Sequence, residues 1–455
     1  MNDPLPILPF TSGGLLEAMV PGSKSQSNRA LLLAALCPRP VRLENLLDSE
    51  DTRLLRKALA DLGVEVRAGD APDAWIIAPR GPLLPADRAE LAVGNAGTAA
   101  RFLPALLALR PGGSYRLDGS PAMRRRPMAG LLEALAATGA ITVHPRGEPG
   151  HFPFDLATHG WEGGRVEVDA SASSQILSGL LLAATGTAEG ATIQLRGTTV
   201  SAPFIEMTLA MIRAFGGRAE KIGEGCFRVE PGLEGPPADA YRIEPDATAA
   251  SYFFALPVAT GGPCAVGSWP AASLQGDLRF LEVLAESGLP VAEEGDRIRT
   301  GPRPPGGLPP TDRDFNAFSD TFLTWAALSP LLGAPFRITG IGHTRHQETD
   351  RVAAVAAELR RLGQAPGEER DALALQPDRA ALRSVARDEP VTIRTYEDHR
   401  MAMSFAVLGC HDLHGDGRPW LAIADPGCCA KTFPGFFGEL ERLRTAASAR
   451  PAPSS

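Results

Sequence analysis

The sequence predicts an α/β fold in two similar halves, and three observations point there. Short alternating apolar runs such as AWIIAP (Ala74 to Pro79) and RVEVDA (Arg165 to Ala170) recur between helical patterns such as TAARFLPALLALR and MAGLLEALAATGA. The same grammar returns in the second half, in ATAASYFFALPVATGG, in the spacing around Leu278 to Gly288 and in RVAAVAAELRRLG. At 455 residues the chain is long for one core, which makes two domains the natural prior.

Composition narrows the function classes. Hydrophobic residues at 44% and charged residues at 22% match an ordinary globular protein. No window reaches the roughly eighteen apolar residues a membrane helix needs, and MNDPLPILPF lacks the basic and apolar regions of a signal peptide, so a cytoplasmic protein is expected. The cysteines at 37, 226, 264, 410, 428 and 429 have neither zinc spacing nor the pattern of a disulfide framework. A net charge of −8 argues against general nucleic-acid binding, but a local basic cluster in an acidic protein can still focus on a small anion.

Each helical pattern opens on polar residues or glycine and closes at glycine before a β-like run. In PGSKSQSNRALLLAAL, Pro21 to Leu36, a serine can cap the helix, and the same helix start with Lys24, its flanking serines and Arg29 can seat a phosphate. GNAGTAARF, Gly94 to Phe102, offers Asn95, Gly97 for close approach, Thr98 as an expected cap, and Arg101. MRRRPM, Met123 to Met128, supplies three arginines before a proline suited to a first helical turn. SASSQILSG, Ser171 to Gly179, opens another apolar helix with Gln175 in its first turn, as a capping box would.

Further on, NAFSDTFLTWAAL places Asp320 before a helix. RHQETDRVAAV groups Arg345, Gln347, Glu348 and Arg351, YEDHRMAMSFAV offers His399 and Arg400, and CCAKTFPGFF offers Lys431. PGLEGPPAD (Pro231 to Asp239) and GPRPPGGLPP (Gly301 to Pro310) read as loops, and residues from about 444 to 455 as a disordered tail. Capping accounts for Ser, Thr, Asp and Asn at helix starts. It does not account for Lys24, Arg29, Arg126, Arg351, Arg400 and Lys431, because cations are disfavoured there, and their repetition suggests bound anions.

Taken in order and spacing, PGSKSQSNRALLLAAL, GNAGTAARF, MRRRP, SASSQ, QETDR, YEDHRMAM and AKTFP resemble the 5-enolpyruvylshikimate-3-phosphate synthases over nearly the whole chain. The resemblance implies two similar domains, each of three repeated βαβαββ units, with the active site in the interdomain cleft. It places residues 1–22 and 246–455 in one domain, which clamps phosphoenolpyruvate and carries the catalytic acids, and 23–245 in an inserted domain that binds shikimate 3-phosphate. It implies transfer of the enolpyruvyl group of phosphoenolpyruvate to the 5-hydroxyl of shikimate 3-phosphate through a tetrahedral intermediate that expels phosphate. The expected protein is a monomer without metal or organic cofactor, nucleic-acid partner or membrane.

Carried over residue by residue, the resemblance gives Asp320, Glu348 and Lys24 catalytic roles: Asp320 takes the 5-hydroxyl proton and Glu348 is the acid/base at the methylene. Shikimate 3-phosphate falls to Lys24, Ser25, Arg29, Ser173, Ser174, Gln175, Ser201, Asp320 and Gln347. Phosphoenolpyruvate falls to Lys24, Asn95, Gly97, Arg126, Gln175, Arg351, Arg400 and Lys431. Glyphosate occupies the phosphoenolpyruvate site in this family, and Gly97 is the small residue associated with sensitivity.

Four residues depart from the familiar pattern: Gln347 replaces a lysine, His343 an asparagine, Phe204 a tyrosine and Phe102 a proline. Arg345 or His346 stands close enough in sequence to Gln347 to compensate for the missing cation. The sister enzyme acting on UDP-N-acetylglucosamine normally carries a reactive cysteine near the first-domain arginine, and no cysteine here lies near Arg126 in sequence. Two further readings remain: a paralogue of specialised metabolism acting on a shikimate-like ring, and a ligand-binding paralogue. Retention of both Asp320 and Glu348 speaks against a binder.

Overall fold

Parallel strands need a crossover and antiparallel ones only a turn, so a strand–helix–strand–helix–hairpin repeat dictates a four-stranded sheet with one parallel and two antiparallel pairings. That sheet recurs throughout the computed structural model, which describes residues 2–11, 14–79, 83–197, 202–305, 308–385 and 389–448. The chain divides into two compact units, one of Met1–Pro21 with Pro245–Ser455 and the other of Gly22–Glu244.

In the Gly22–Glu244 unit, strand Arg88–Ala92 runs parallel to Pro111–Asp118, which pairs antiparallel with Phe154–His159 and that in turn with Ile141–Pro145. Gly164–Val168, Ala191–Leu195, Cys226–Val229 and Ala219–Gly223 repeat the pattern. The third sheet of this unit is Val41–Glu44, Trp75–Ala78 and Glu65–Ala68, with Ala240–Arg242 returning from the far end of the segment to lie parallel to Val41–Glu44. Its register sets Leu43 opposite both Tyr241 and Trp75.

The other unit repeats the scheme with strands drawn from both of its segments. Leu16–Ala18 lies parallel to Cys264–Val266, beside Arg297–Thr300 and Val291–Glu294. Thr311–Asp314, Phe336–Thr339, Ala372–Leu375 and Gly367–Glu368 form the next sheet. Among the described residues the last sheet has three strands, Val391–Ile393, Leu421–Ile423 and Leu5–Pro6, so the repeat is abbreviated there.

Each unit buries three helices on nearly every side, most of them along largely apolar sequence, with the polar first turns of Lys24–Leu36 and His399–Gly409 buried as well. They are Lys24–Leu36, Gly97–Leu107 and Ser174–Ala184 in one unit, and Ala247–Phe254, Phe322–Leu328 and His399–Gly409 in the other. Leu31, Leu32 and Leu33 are all fully buried, each worth about 1.5–3 kcal/mol of transfer free energy. Helices Gly97–Leu107 and Ser174–Ala184 pack closely because Gly179 lacks a side chain: a Cβ there would lie 2.9 Å from the Arg101 carbonyl oxygen. The outer helix Glu50–Asp61 keeps an exposed polar face, whereas Arg351–Arg361 is exposed only at Arg360 and Arg361.

Three sequence expectations change. Thr98 lies inside its helix, whose N-cap is Ala96 without a side-chain bond, because the helix begins two residues earlier than a Thr98 cap would set it, at Gly97. Pro127 precedes the N-cap Met128 rather than occupying the first turn. The stretch from 444 is helical through Ser448, since Leu443 and Ala447 have an apolar core to pack against, while 449–455 lie outside the described residues.

Candidate active site

In the Gly22–Glu244 unit the buried helices present their N-termini together with unsatisfied polar atoms. Ser23 caps helix Lys24–Leu36, its hydroxyl accepting from Gln26 N at 3.5 Å, and Lys24 is the first helical residue. Lys24 Nζ lies 3.8 Å from Asp51. Ser25 follows, its carbonyl accepting from Arg29 Nη1 at 2.9 Å. Arg29 is 2% exposed and donates also to Thr208 Oγ1 at 2.8 Å, Ser178 Oγ at 3.1 Å and the Phe204 carbonyl at 3.1 Å. All these acceptors are neutral, and burial pushes the guanidinium down to about 9.

Two of the sequence departures gather at this arginine. The Phe102 and Phe204 rings lie 5.6 and 5.8 Å from its guanidinium carbon, a cation–π arrangement on a charge that meets no carboxylate among the described residues.

The second cluster forms in front of Gly97. A Cβ at that position would lie 2.9 and 3.0 Å from the Arg126 nitrogens Nη1 and Nη2, and 3.2 Å from Gln175 Oε1. Arg126 Nη1, Gln175 Oε1 and Asn95 Oδ1 are each buried without a hydrogen-bond partner among the described residues. Buried polar atoms are almost always satisfied, so a donor and two acceptors left open mark a place for a polar ligand. Of the three arginines only Arg126 is turned here; Arg124 pairs with Asp118 at 2.6 Å and Arg125 is exposed. Arg101 ties the site together, reaching the Gly97 carbonyl at 3.4 Å and the Pro127 carbonyl at 3.0 Å. Ser173 caps the third helix, accepting from Gln175 N at 3.2 Å, and Ser174 follows it. Ser201 lies outside the described residues.

The other unit assembles three cations and three carboxylates. Arg351 opens helix Arg351–Arg361 and is 1% exposed. Its Nε donates to Asp398 Oδ2 at 2.7 Å, Nη1 to Asp320 Oδ1 at 2.9 Å and Nη2 to Glu348 Oε2 at 2.9 Å. Arg400 Nη2 donates to Asp320 Oδ2 at 2.7 Å, and Lys431 Nζ to Glu348 Oε1 at 2.7 Å. Burial alone would lower both arginines, but the carboxylates hold them above the ordinary guanidinium range: Asp398, Glu348 and Asp320 for Arg351, and Asp320 foremost for Arg400. Arg351 and Arg400 stand at helix starts, whereas Lys431 ends a 3-10 turn, Pro426–Lys431; carboxylates of the protein, and not bound anions alone, offset the cost of these cations.

The remaining departures lie in this unit. Gln347 Oε1 accepts from Arg351 Nη1. Arg345 does not stand in for the missing cation: it bonds Asp350 at 2.8 and 2.9 Å, Glu368 at 3.2 Å and the carbonyls of Arg370 and Glu369. His346 is exposed. His343 Nε2 and Ser319 Oγ are 2.8 Å apart, and burial lowers the imidazole, only partly opposed by Asp320, which favours its neutral form.

Sequence reasoning missed Asp398 and Asp277. Asp398 reads as a simple N-cap, and does cap His399–Gly409 by accepting from Arg400 N at 2.8 Å, so its pairing with Arg351 had no separate signal. His399, singled out instead, is buried beside Asp398. Asp277 is buried, accepts from Thr248 Oγ1 at 2.6 Å, and is raised to about 7 by desolvation and then by Asp320.

The comparisons with known proteins bear on these clusters directly. Residues 16–440 match the family model described as EPSP synthase (3-phosphoshikimate 1-carboxyvinyltransferase). The chain belongs to the EPSP synthase family. Relatives named 3-phosphoshikimate 1-carboxyvinyltransferase include one from Opitutus terrae, 48% identical over 98% of both chains, and one from Nostoc punctiforme, 41% identical over 92% of this chain and 94% of its own. Among solved structures, EPSP synthase from Acinetobacter baumannii superposes with a TM-score of 0.75 over 97% of this chain and 98% of its own, at 22% identity. The enolpyruvyl transferase NikO from Streptomyces tendae superposes at 0.68 over 97% and 98%, at 18% identity. At such identities these two speak for the enolpyruvyl transferase fold. Among the described residues, no helix of this EPSP synthase family member is long and apolar enough to cross a membrane.

Proposed function

We propose that the chain transfers the enolpyruvyl group of phosphoenolpyruvate to the 5-hydroxyl of shikimate 3-phosphate, yielding 5-enolpyruvylshikimate 3-phosphate and phosphate, on the route to chorismate and the aromatic amino acids. It acts as a monomer in the cytoplasm, without metal or organic cofactor. The observation that carries this reading is the Arg351 guanidinium bonded to both Asp320 and Glu348, two acids held around one cation within a family of enolpyruvyl transferases.

The reaction asks for two proton transfers and repeated charge stabilisation. Lys24, Ser25, Arg29, Ser173, Ser174, Gln175 and Ser201 take shikimate 3-phosphate, supported by the cation at the helix start and by Arg29, which lacks a carboxylate among its bonds. Lys24, Asn95, Gly97, Arg126, Gln175, Arg351, Arg400 and Lys431 take phosphoenolpyruvate. Asp320 removes the 5-hydroxyl proton. Glu348 delivers a proton to the methylene carbon and later takes one back as phosphate leaves.

Without substrate, the Glu348 oxygens accept from Arg351 and Lys431. Phosphate and carboxylate groups of phosphoenolpyruvate compete for those cations. Gln347 adds a neutral contact to the shikimate 3-phosphate side.

The test is phosphate release by the purified protein given both substrates, with each omitted in turn and the organic product identified. Release that needs both, with the enolpyruvyl ether as product, supports the reading. Binding of shikimate 3-phosphate with no release from either mixture overturns it.

A further inference from the structure

Helix Arg351–Arg361 holds the segment that leads into helix His399–Gly409 at two points, two turns apart. The first is the Arg351–Asp398 pair described above. The second is Glu358, fully buried on the same helix. Its Oε1 accepts from Tyr396 Oη at 2.8 Å, while Oε2 accepts from the Arg394 backbone N at 3.1 Å and from Arg361 Nη1 at 2.7 Å. One carboxylate thus collects three donors, two of them from residues just before Asp398.

The backbone between the two points needs such a hold. Tyr396 and Glu397 both have left-handed φ, 56° and 58°, and neither is glycine. Side-chain-bearing residues are disfavoured there and stay only where the surroundings over-determine them. Asp398 N donates to the Thr395 carbonyl at 2.9 Å, closing the turn directly ahead of Arg400. Burial and then Glu358 push the Tyr396 phenol up to about 12, so its hydroxyl remains a donor across any working pH.

We propose that Tyr396 and Glu358 form a latch that fixes the strained 395–398 turn and so positions Arg400 against Asp320. Both are positioning residues, acting on substrate through Arg400. The link to substrate rests on the reading of Arg400 as a phosphoenolpyruvate contact.

Tyr396→Phe removes one hydroxyl from a side chain that is 37% exposed, so the variant retains its fold. Two readouts keep the latch and the site assignment apart. Hydrogen exchange of the amides from Tyr396 to Arg400 reports the turn itself, and should quicken about tenfold while the rest of the unit is unchanged. Steady-state kinetics should raise KM for phosphoenolpyruvate about five- to tenfold, with KM for shikimate 3-phosphate within about twofold. Arg400→Lys, measured alongside, should raise the same KM.

Unchanged exchange in Tyr396→Phe overturns the latch. So does faster exchange with an unmoved phosphoenolpyruvate KM when Arg400→Lys does raise it, because the turn then does not position Arg400. Both constants rising together with a lowered melting temperature also overturns it, as that is general destabilisation. If Arg400→Lys leaves the phosphoenolpyruvate KM alone, the role of Arg400 falls, and the exchange result decides the latch by itself.

Discussion

Arg351 and Asp398 form an ion pair at 2.7 Å, the arginine 1% exposed and the aspartate fully buried. Asp398 is the foremost of three carboxylates, with Glu348 and Asp320, that hold the buried Arg351 guanidinium above its ordinary range. Asp398 also caps helix His399–Gly409. Asp398→Ala therefore strands part of a buried cation and removes a cap at once, and should cost about 3–5 kcal/mol in denaturant unfolding. Asp398→Asn keeps a cap acceptor and should cost less. Equal losses in the two variants would mean that charge is not the reason.

Asp320 accepts from Arg351 and Arg400 on separate oxygens, which fixes its orientation. Asp320→Asn changes one acceptor into a donor facing a cation and removes the base. Turnover should fall about 10²- to 10⁴-fold with the far-UV circular dichroism unchanged. Near-normal turnover in this variant would remove Asp320 from the proton transfer.

Gly97 owes its place to the two groups in front of it. Gly97→Ala sets a methyl 2.9 Å from Arg126 Nη1 and 3.2 Å from Gln175 Oε1, so the arginine must swing away. Loss of one charge-assisted bond is worth about 1.5–3 kcal/mol, which predicts a phosphoenolpyruvate KM raised about tenfold to a hundredfold. Inhibition by glyphosate should weaken in the same variant. Unchanged values for both would show that Arg126 does not contact this substrate.

Asp277 gives the protein a pH dependence of definite sign. Its carboxyl is raised from 3.8 to about 7 by burial and by Asp320, so between those values the folded state binds more protons than the unfolded one. Stability from this group is fully present below about pH 4 and is lost as pH rises through about 7. Unfolding at a series of pH values should show a smaller decline over pH 4–7 in Asp277→Asn than in the parent chain. Parallel curves would contradict the assignment.

The fold was legible because its signals are local. A stretch apolar on every face, such as Leu31 to Ala35, has to be buried; that the polar residues Gln26 to Arg29 ahead of it are buried as well was not legible. The abbreviated third sheet was not legible, because Leu5–Pro6 is too short a strand to carry an alternation and joins Leu421–Ile423 from the opposite end of the chain. At the site, Lys24, Arg126, Arg351 and Lys431 could be named from motifs, but their partners could not. The Asp51 pairing with Lys24 and the Glu348 pairing with Lys431 join separated segments. Phe102 and Phe204 stood out as departures in sequence and make sense only when both rings meet Arg29.

The central claim is that Glu348 moves the proton at the enolpyruvyl methylene. Addition turns the methylene into a methyl group, and reversal of that addition, in which the 5-oxygen of shikimate 3-phosphate leaves and takes up a proton, gives up any one of the three methyl hydrogens, so turnover in deuterated water washes deuterium into recovered phosphoenolpyruvate. The most direct measurement is that exchange in the parent chain and in Glu348→Gln, with both substrates present. Exchange should be steady in the parent and fall about 10²-fold or more in the variant while both substrates still bind. Exchange in Glu348→Gln at the parent rate would contradict it.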